Sequence, residues 1–127
     1  MLMARVRRQD TQPELVVRST LHAMGERFRL CRRDLPGRPD IVLPRHRLAI
    51  FVHGCFWHRH NGCRLSSFPK TRVEFWTEKF ATNVARDARN VQELCTLGWS
   101  VGIIWECETR QSNLPAMLEE LLAGATE

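Results

Sequence analysis

The sequence predicts an α/β fold in which a central mixed β-sheet is flanked by helices, and three observations support this class. The chain has 127 residues, enough for one hydrophobic core and too few for two. Short apolar, β-rich runs alternate with longer segments in which apolar residues recur every three or four positions. The predicted order is helix, strands, helix, strand, helix, which is typical of a layered domain. We therefore expect a single domain over residues 1–127.

The first predicted helix begins near Thr11. Thr11 can cap the helix, Pro13 is tolerated in the first turn, and Glu14 occupies the capping-box position. Gly25 ends the run. The apolar positions at helical spacing are Val17, Leu21 and Met24.

Three short strands are predicted next. Residues 28–30 form a short edge strand, and residues 41–43 and 48–52 form two apolar strands. The basic stretch 44–47 joins the last two as a hairpin.

The second half contains two helices around one strand. The longest helix covers about 73–97 and is closed by Gly98. Residues 101–105 form a buried strand, and a final amphipathic helix contains Leu114, Met117, Leu118, Leu121 and Leu122. The apolar face predicted for the longest helix consists of Phe80, Val84, Ala88, Val91 and Cys95.

The positive charge is concentrated in one half of the chain. Residues 1–64 contain 13 Arg and Lys against 5 Asp and Glu, whereas residues 65–127 contain 6 against 9. Of the 19 basic residues 17 are arginine, whose planar guanidinium suits phosphate oxygens and stacks on bases. Arginine-rich codon usage would explain the ratio of Arg to Lys but not its distribution. We therefore expect an anionic partner, in particular nucleic acid.

The N-terminal sequence lacks the apolar run of a signal peptide, and the longest apolar stretch, 48–52, is too short to span a bilayer. We therefore expect a cytoplasmic protein without a membrane partner. Its five cysteines, an odd number, favour reduced thiols or metal ligands over a disulfide framework.

Asp40 follows the turn residues Gly37 and Pro39 at the mouth of a predicted strand. A carboxylate in this position is a hard oxygen ligand that suits Mg²⁺. The alternative is an ordinary turn in which Asp40 bonds a nearby backbone amide.

The segment FVHGCFWHRHNGC, residues 51–63, combines potential metal ligands with aromatic residues. Cys55, His60 and Cys63 have the spacing C-x4-H-x2-C, which suits a tetrahedral zinc with a fourth ligand from elsewhere. Cys107 is the best fourth candidate because it ends a core strand, whereas Cys31 is a weaker one. Cys95 is more simply a core thiol. Buried cysteines beside solvated histidines remain the alternative to zinc.

The same segment leaves other residues free for chemistry. His58 can face one site with Asp40 and accept a proton from water. Phe56 and Trp57, beside a cationic surface, suit stacking on bases or wedging between them. Alternatively they form a small satellite core.

Four motifs, in this order and spacing, resemble the very-short-patch repair (Vsr) endonucleases over residues 10–110. The motifs are LPGRPDIV, FVHGCFWHRHNGC, TRVEFWTEKFATNVARDARN and GWSVGIIWEC. The resemblance implies a variant of the PD-(D/E)xK restriction-endonuclease-like fold with a structural zinc site. It implies an enzyme that nicks the T-containing strand 5′ of the T in T·G mismatches left by 5-methylcytosine deamination.

The resemblance also implies roles for particular residues. Asp40 and the Val52 carbonyl would hold catalytic Mg²⁺, and His58 would activate water. Val52 replaces the threonine common in the family. Glu14 would lie near the metal shell, and His53 near the scissile phosphate. Zinc would be held by Cys55, His60, Cys63 and Cys107, although Gly62 adds one residue before Cys63.

For DNA, the resemblance implies a wedge of Phe56, Trp57 and Trp76 entering from the major groove. Lys79 and Asn83 would face the mismatched pair, and Met3, within an N-terminal arm of residues 1–10, would lie in the minor groove. It further implies a monomer that works beside a cytosine-5 methyltransferase and other mismatch-repair proteins. The remaining alternatives are a related nuclease of broader specificity and a zinc DNA-binding module without catalysis.

Overall fold

The computed structural model describes residues 11–30 and 32–126, in which three α-helices surround a four-stranded sheet. The predictions for Met3, for the arm 1–10 and for Cys31 lie outside these residues. The helices are α1 (Gln12–Ala23), α2 (Val73–Thr96) and α3 (Leu114–Thr126), and the strands are β1 (Arg29–Leu30), β2 (Ile41–Leu43), β3 (Leu48–His53) and β4 (Ser100–Trp105).

The sheet has the order β1-β2-β3-β4 and is mixed, as predicted. The first three strands pair antiparallel because short connections join them, and β1 and β4 are the two edge strands. β3 and β4 pair in parallel over their whole length because the long helix α2 carries the chain back across the sheet. The carboxyl ends of β3 and β4 therefore meet at one edge.

The two sides of the sheet bury different sets of residues, because successive strand side chains point to opposite faces. On one face, strand residues pack against α1 and α3. Val17 and Leu21 of α1 and Leu118 of α3 are fully buried there. On the other face, Val42, Ala49 and Phe51 form a smaller core with Leu94 of α2. The result is a helix, sheet and helix arrangement, and the predicted α/β class is confirmed.

The N-terminus of α1 follows the predicted capping pattern. Thr11 is the N-cap, and its hydroxyl accepts a bond from the Glu14 N–H. The same hydroxyl donates to the Glu14 carboxylate at 3.0 Å. Gly25, with φ of 82°, follows the helix end. Glu14 is thereby held in a fixed position at the start of α1.

The predicted buried face of α2 is wrong in part. Val84 is 46% exposed, and Ala88 and Cys95 are also exposed, so Cys95 is not a core thiol. The face turned inward instead combines Phe80 and Leu94 with the polar side chains of Asn83, Asp87 and Asn90. These residues also step by three or four, so helical periodicity alone did not distinguish the two faces.

The described helices include no candidate for a membrane span. Within residues 11–30 and 32–126, none is both long and apolar enough to cross a bilayer.

Candidate active site and metal centre

The predicted site residues come from three segments that meet at one edge of the sheet. In the parallel ladder His53, the last residue of β3, pairs with Trp105, the last residue of β4. β2 runs antiparallel to β3, so Asp40, which precedes β2, lies at the same edge. The loop after β3 contains Cys55 to Cys63, and Cys107 follows β4.

Asp40 is held by the backbone of the neighbouring strand. Its Oδ2 accepts a hydrogen bond from the Val52 N–H at 2.7 Å. Burial raises the pKa of Asp40 to about 6; the Val52 N–H opposes this rise and the charge of Glu14 adds to it. Glu14 is itself buried and pairs with Arg18 at 3.3 Å. The capping role of Glu14 and a position close to Asp40 therefore coexist.

The Val52 backbone faces the space in front of β2. Because Ile41 pairs with Ile50, continuing the register by two residues places Pro39 opposite Val52. Proline has no N–H to donate to the Val52 carbonyl, and the side chain of Asp40 occupies the Val52 N–H. The Asp40 carboxylate and the Val52 carbonyl are thus two hard oxygen ligands for a metal ion, and they come from adjacent chain segments.

His58 is oriented by an acidic residue of α2 that sequence reasoning missed. Its Nδ1 bonds Asp87 Oδ2 at 2.6 Å. Burial opposes ionisation of Asp87, but the hydrogen bond and the charge of His58 lower the pKa of this carboxyl overall. With the Nδ1 proton donated to Asp87, Nε2 of His58 is free to accept a proton.

His53 lies beneath His58 in the same site. The two imidazole rings stack with centroids 3.9 Å apart and planes 6° apart. Burial lowers the pKa of His53 to about 4, and the neighbouring His58 adds to this effect. Its Nδ1 is buried without a hydrogen-bond partner among the described residues. His53 is therefore a neutral ring at neutral pH.

The ligand atoms of His53, His58 and Asp87 lie within 4.8 Å of one another, but the stacked rings do not suit a single metal ion. The lone pair of an imidazole nitrogen lies in the plane of its ring. Two rings stacked in parallel planes cannot both direct lone pairs at one ion unless a ring rotates.

The predicted Cys/His cluster is brought together from two loops. The ligand atoms of Cys55, His60, Cys63 and Cys107 all lie within 4.8 Å of one another. His60 Nδ1 is 3.5 Å from both Cys55 Sγ and Cys107 Sγ. Gly62 takes a φ of 73°, and the turn it makes leaves Cys63 within reach. This cluster could hold a metal ion.

The donor set of this cluster suits a soft cation. Burial raises the pKa of Cys55 to about 12 and also raises that of Cys107. A hydrogen bond from the Leu65 N–H lowers the pKa of Cys63. Since a metal binds the thiolate, binding would displace thiol protons. Three sulfurs and one imidazole match the ligands that structural zinc takes in tetrahedral sites.

Trp105 and Glu106 link the Cys/His cluster to the carboxyl end of β3, and sequence reasoning missed both. The Trp105 ring stacks on His60 at 4.3 Å and makes a T-shaped contact with His53 at 5.2 Å. Glu106 accepts a bond from the Cys55 N–H at 3.3 Å. The adjacency of both residues to Cys107 is the signal that the sequence offered.

The predicted wedge residues form one aromatic group with α2. Phe56 meets Trp57 at 5.1 Å and Trp76 at 5.8 Å, and all three rings are partly exposed. Asn83 is buried, and its Nδ2 donates to the Trp57 carbonyl at 3.2 Å. Lys79, one helical turn after Trp76, is exposed. The group is therefore a packed cluster that still presents aromatic edges to solvent.

Comparison with known proteins identifies the family. The family model described as DNA mismatch endonuclease Vsr matches residues 1–64. A DNA mismatch endonuclease Vsr of Escherichia coli is 44% identical over 128 residues, covering 96% of this chain and 81% of the relative. The chain belongs to the Vsr family. It is therefore a DNA endonuclease, and its sheet and Cys/His cluster are consistent with the PD-(D/E)xK variant predicted for this family.

Two further relatives in this family are named as nicking enzymes. The Type II nicking enzyme V.XorIIP of Xanthomonas oryzae is 54% identical, covering 95% of this chain and 89% of the relative. The Type II nicking enzyme V.NmeAIP of Neisseria meningitidis is 38% identical, covering 89% of this chain and 80% of the relative. Vsr-type enzymes are thus similar to this chain over most of their length.

Proposed function

We propose that this protein nicks the T-containing strand of duplex DNA 5′ of the T in T·G mismatches, by Mg²⁺-dependent hydrolysis. The observation that supports this most directly is the convergence of Asp40, the Val52 backbone and the His58–Asp87 pair at one sheet edge, beside partly exposed aromatic rings. The family and the nicking enzymes among its relatives support the same reaction class.

In this proposal Asp40 and the Val52 carbonyl hold Mg²⁺, with Glu14 nearby. The residues fit such an ion because they are hard oxygen ligands, and because a partly buried Asp40 carboxylate with a pKa of about 6 gains from a neighbouring cation. Bound there, Mg²⁺ would stabilise negative charge on the phosphoryl oxygens.

His58 serves as the general base. Its Nε2 takes a proton from water while Asp87 holds the Nδ1 proton and stabilises the imidazolium that forms. The water oxygen bonds to phosphorus and the P–O3′ bond breaks. The departing 3′ oxygen takes a proton from solvent, leaving a 3′-hydroxyl and a 5′-phosphate. Neutral His53 packs against His58 and faces the scissile phosphate in this scheme.

Selection of the mismatch is assigned to the aromatic group. Phe56, Trp57 and Trp76 enter the stack beside the T·G pair, and Lys79 and Asn83 face that pair. Asn83 supports the wedge through its bond to the Trp57 carbonyl. Unstacking one base step costs about a few kcal/mol, and a wobble pair lowers that cost, which favours the mismatch.

Zinc in the cluster of Cys55, His60, Cys63 and Cys107 would fix the loop that bears both the base and the wedge. The same proposal has a single-domain monomer act on bacterial DNA in the cytoplasm, with residues 1–10, including Met3, along the minor groove. A cytosine-5 methyltransferase and other mismatch-repair proteins would be its functional partners.

The test uses labelled duplexes that contain T·G, another mismatch or no mismatch, incubated with Mg²⁺. The variants are Asp40→Asn and, as a control with the same charge change, Asp34→Asn, an exposed residue paired with Arg32. We expect the parent protein and the control to nick only the T-bearing strand of the T·G duplex, and Asp40→Asn to lose the nick.

Equal cleavage of perfectly paired DNA, or cleavage of both strands, would contradict the proposal in favour of a nuclease of broader specificity. Binding of T·G DNA without cleavage by the parent protein would indicate a DNA-binding module instead.

A further inference from the structure

Arg59 lies between the proposed base His58 and the proposed zinc ligand His60, and its side chain turns into the protein. Its φ of 56° is in the left-handed region, which is uncommon for a non-glycine residue. Nη1 donates to the carbonyls of Phe56 at 3.1 Å and Ser67 at 3.2 Å, and Nη2 donates to the carbonyl of Ser66 at 2.7 Å.

The same guanidinium lies over aromatic rings from three segments. Its Cζ is 4.1 Å from the ring centroid of Phe80 and 5.6 Å from those of Phe56 and Phe68. These distances are within the range of cation–π attraction. Phe80 is on α2, Phe56 is in the wedge, and Phe68 lies in the segment that leads to α2.

These contacts make Arg59 a clamp on the wedge loop. The Arg59 guanidinium donates to the carbonyls of Phe56, Ser66 and Ser67 and so connects these two parts of the loop. Its contact with the Phe80 ring holds this part of the loop against α2. The planar fork of arginine makes several bonds in fixed directions, which a lysine ammonium cannot reproduce. The Arg59 guanidinium thus contacts carbonyls and rings of the protein itself, unlike an arginine whose side chain extends into solvent to bind phosphate.

We propose that Arg59 is a positioning residue that holds Phe56 and Trp57 in their DNA-inserting arrangement before DNA binds, an inference that rests on the proposed function of the wedge. Preorganisation of this kind lowers the ordering cost of the productive complex. Its loss should slow cleavage more than it weakens DNA binding.

The first test needs no DNA. Amide hydrogen exchange is measured over residues 56–68 in the parent, Arg59→Met and Arg59→Lys, with Arg45→Met as the control. Arg45 is exposed in the turn between β2 and β3, at the opposite end of the sheet. We expect exchange at least about tenfold faster in both Arg59 variants and unchanged in the control, since the clamp limits local opening.

Parent-like exchange in either Arg59 variant would overturn the inference. Arg59→Lys keeps the aliphatic stem and the charge, so it provides a folded comparison if Arg59→Met fails to fold. The exchange measurement contains no DNA, so its result does not depend on nicking. If the parent protein fails to nick T·G DNA, the proposed function is contradicted, and the exchange result still decides whether Arg59 orders the loop.

The second test separates positioning from phosphate contact. Single-turnover cleavage and DNA affinity are measured over a range of salt concentrations. We expect Arg59→Lys to cleave roughly tenfold more slowly, with a Kd within about threefold of the parent and an unchanged slope of log K against log salt concentration. The fluorescence of 2-aminopurine beside the mismatch should rise more slowly as well.

A phosphate contact gives the opposite pattern. Arg59→Lys would then cleave like the parent, and the salt slope of Arg59→Met would fall by about 1. Either result would overturn the positioning role.

Discussion

The His58–Asp87 hydrogen bond leads to the sharpest prediction for catalysis. In Asp87→Asn the shape of the side chain is kept, but the carboxylate that holds the Nδ1 proton of His58 is lost. The amide can donate to Nδ1 instead, which would place the imidazole proton on Nε2, the atom that must accept the proton of water.

The magnitude follows from the 2.6 Å contact between His58 and Asp87. A hydrogen bond to a charged group contributes about 1.5–3 kcal/mol, which corresponds to roughly 10- to 150-fold in rate. General-base catalysis as a whole contributes about 10²–10⁴-fold. We therefore expect Asp87→Asn to cleave on the order of 100-fold more slowly.

The assay is single-turnover cleavage of a labelled T·G duplex at saturating enzyme, with DNA affinity measured separately. Asp34→Asn removes the same charge from an exposed position and should retain the parent rate. DNA affinity of Asp87→Asn should stay within about threefold of the parent, because Asp87 orients His58 and contacts no DNA in the proposed scheme. A cleavage rate within threefold of the parent would refute the assignment of Asp87.

Three further predictions concern the metals and the core. In the proposed scheme the Asp40 carboxylate must be ionised to bind Mg²⁺, and its pKa is about 6. The half-saturating Mg²⁺ concentration should therefore rise about tenfold per pH unit below pH 6 and level off above it. A flat dependence from pH 5 to 7 would contradict this. Cys107→Ser should lose bound zinc in metal analysis whereas Cys95→Ser, an exposed thiol, should retain it, and a full equivalent in Cys107→Ser would exclude this ligand. Leu118→Ala, at a fully buried position, should lower the free energy of unfolding in urea by about 2–5 kcal/mol, against about 0.5 kcal/mol or less for exposed Val84→Ala; equal losses would contradict the assigned faces.

Local sequence signals predicted the secondary structure well because each depends on neighbouring residues. The Thr11 cap, the apolar strand 41–43 and Gly98 after the longest helix all appear where the pattern placed them. The antiparallel pairing of β2 and β3 also followed from the sequence, since a short turn joins them as a hairpin. Cys107 was a candidate because it ends a core strand, and the parallel pairing of β3 and β4 is what brings that strand end beside the loop after β3.

The tertiary structure decided which face of α2 is buried. Two stripes at helical spacing were available, and the apolar one containing Val84 and Cys95 is exposed. The chosen stripe contains Asn83 and Asp87, whose partners Trp57 and His58 lie about 30 residues earlier in the chain. Periodicity records how residues repeat along one helix, but it contains no information about the loop that packs against it.

The sequence by itself determined the family, the order of the elements and a set of chemically competent residues. Only the tertiary structure decided which of those residues contact one another, because hydrogen bonds and ring contacts depend on distances between segments that are remote in the chain. Arg59 illustrates the difference: as one of 17 arginines it reads as a candidate for phosphate binding, whereas in the fold its guanidinium joins three carbonyls and covers Phe80.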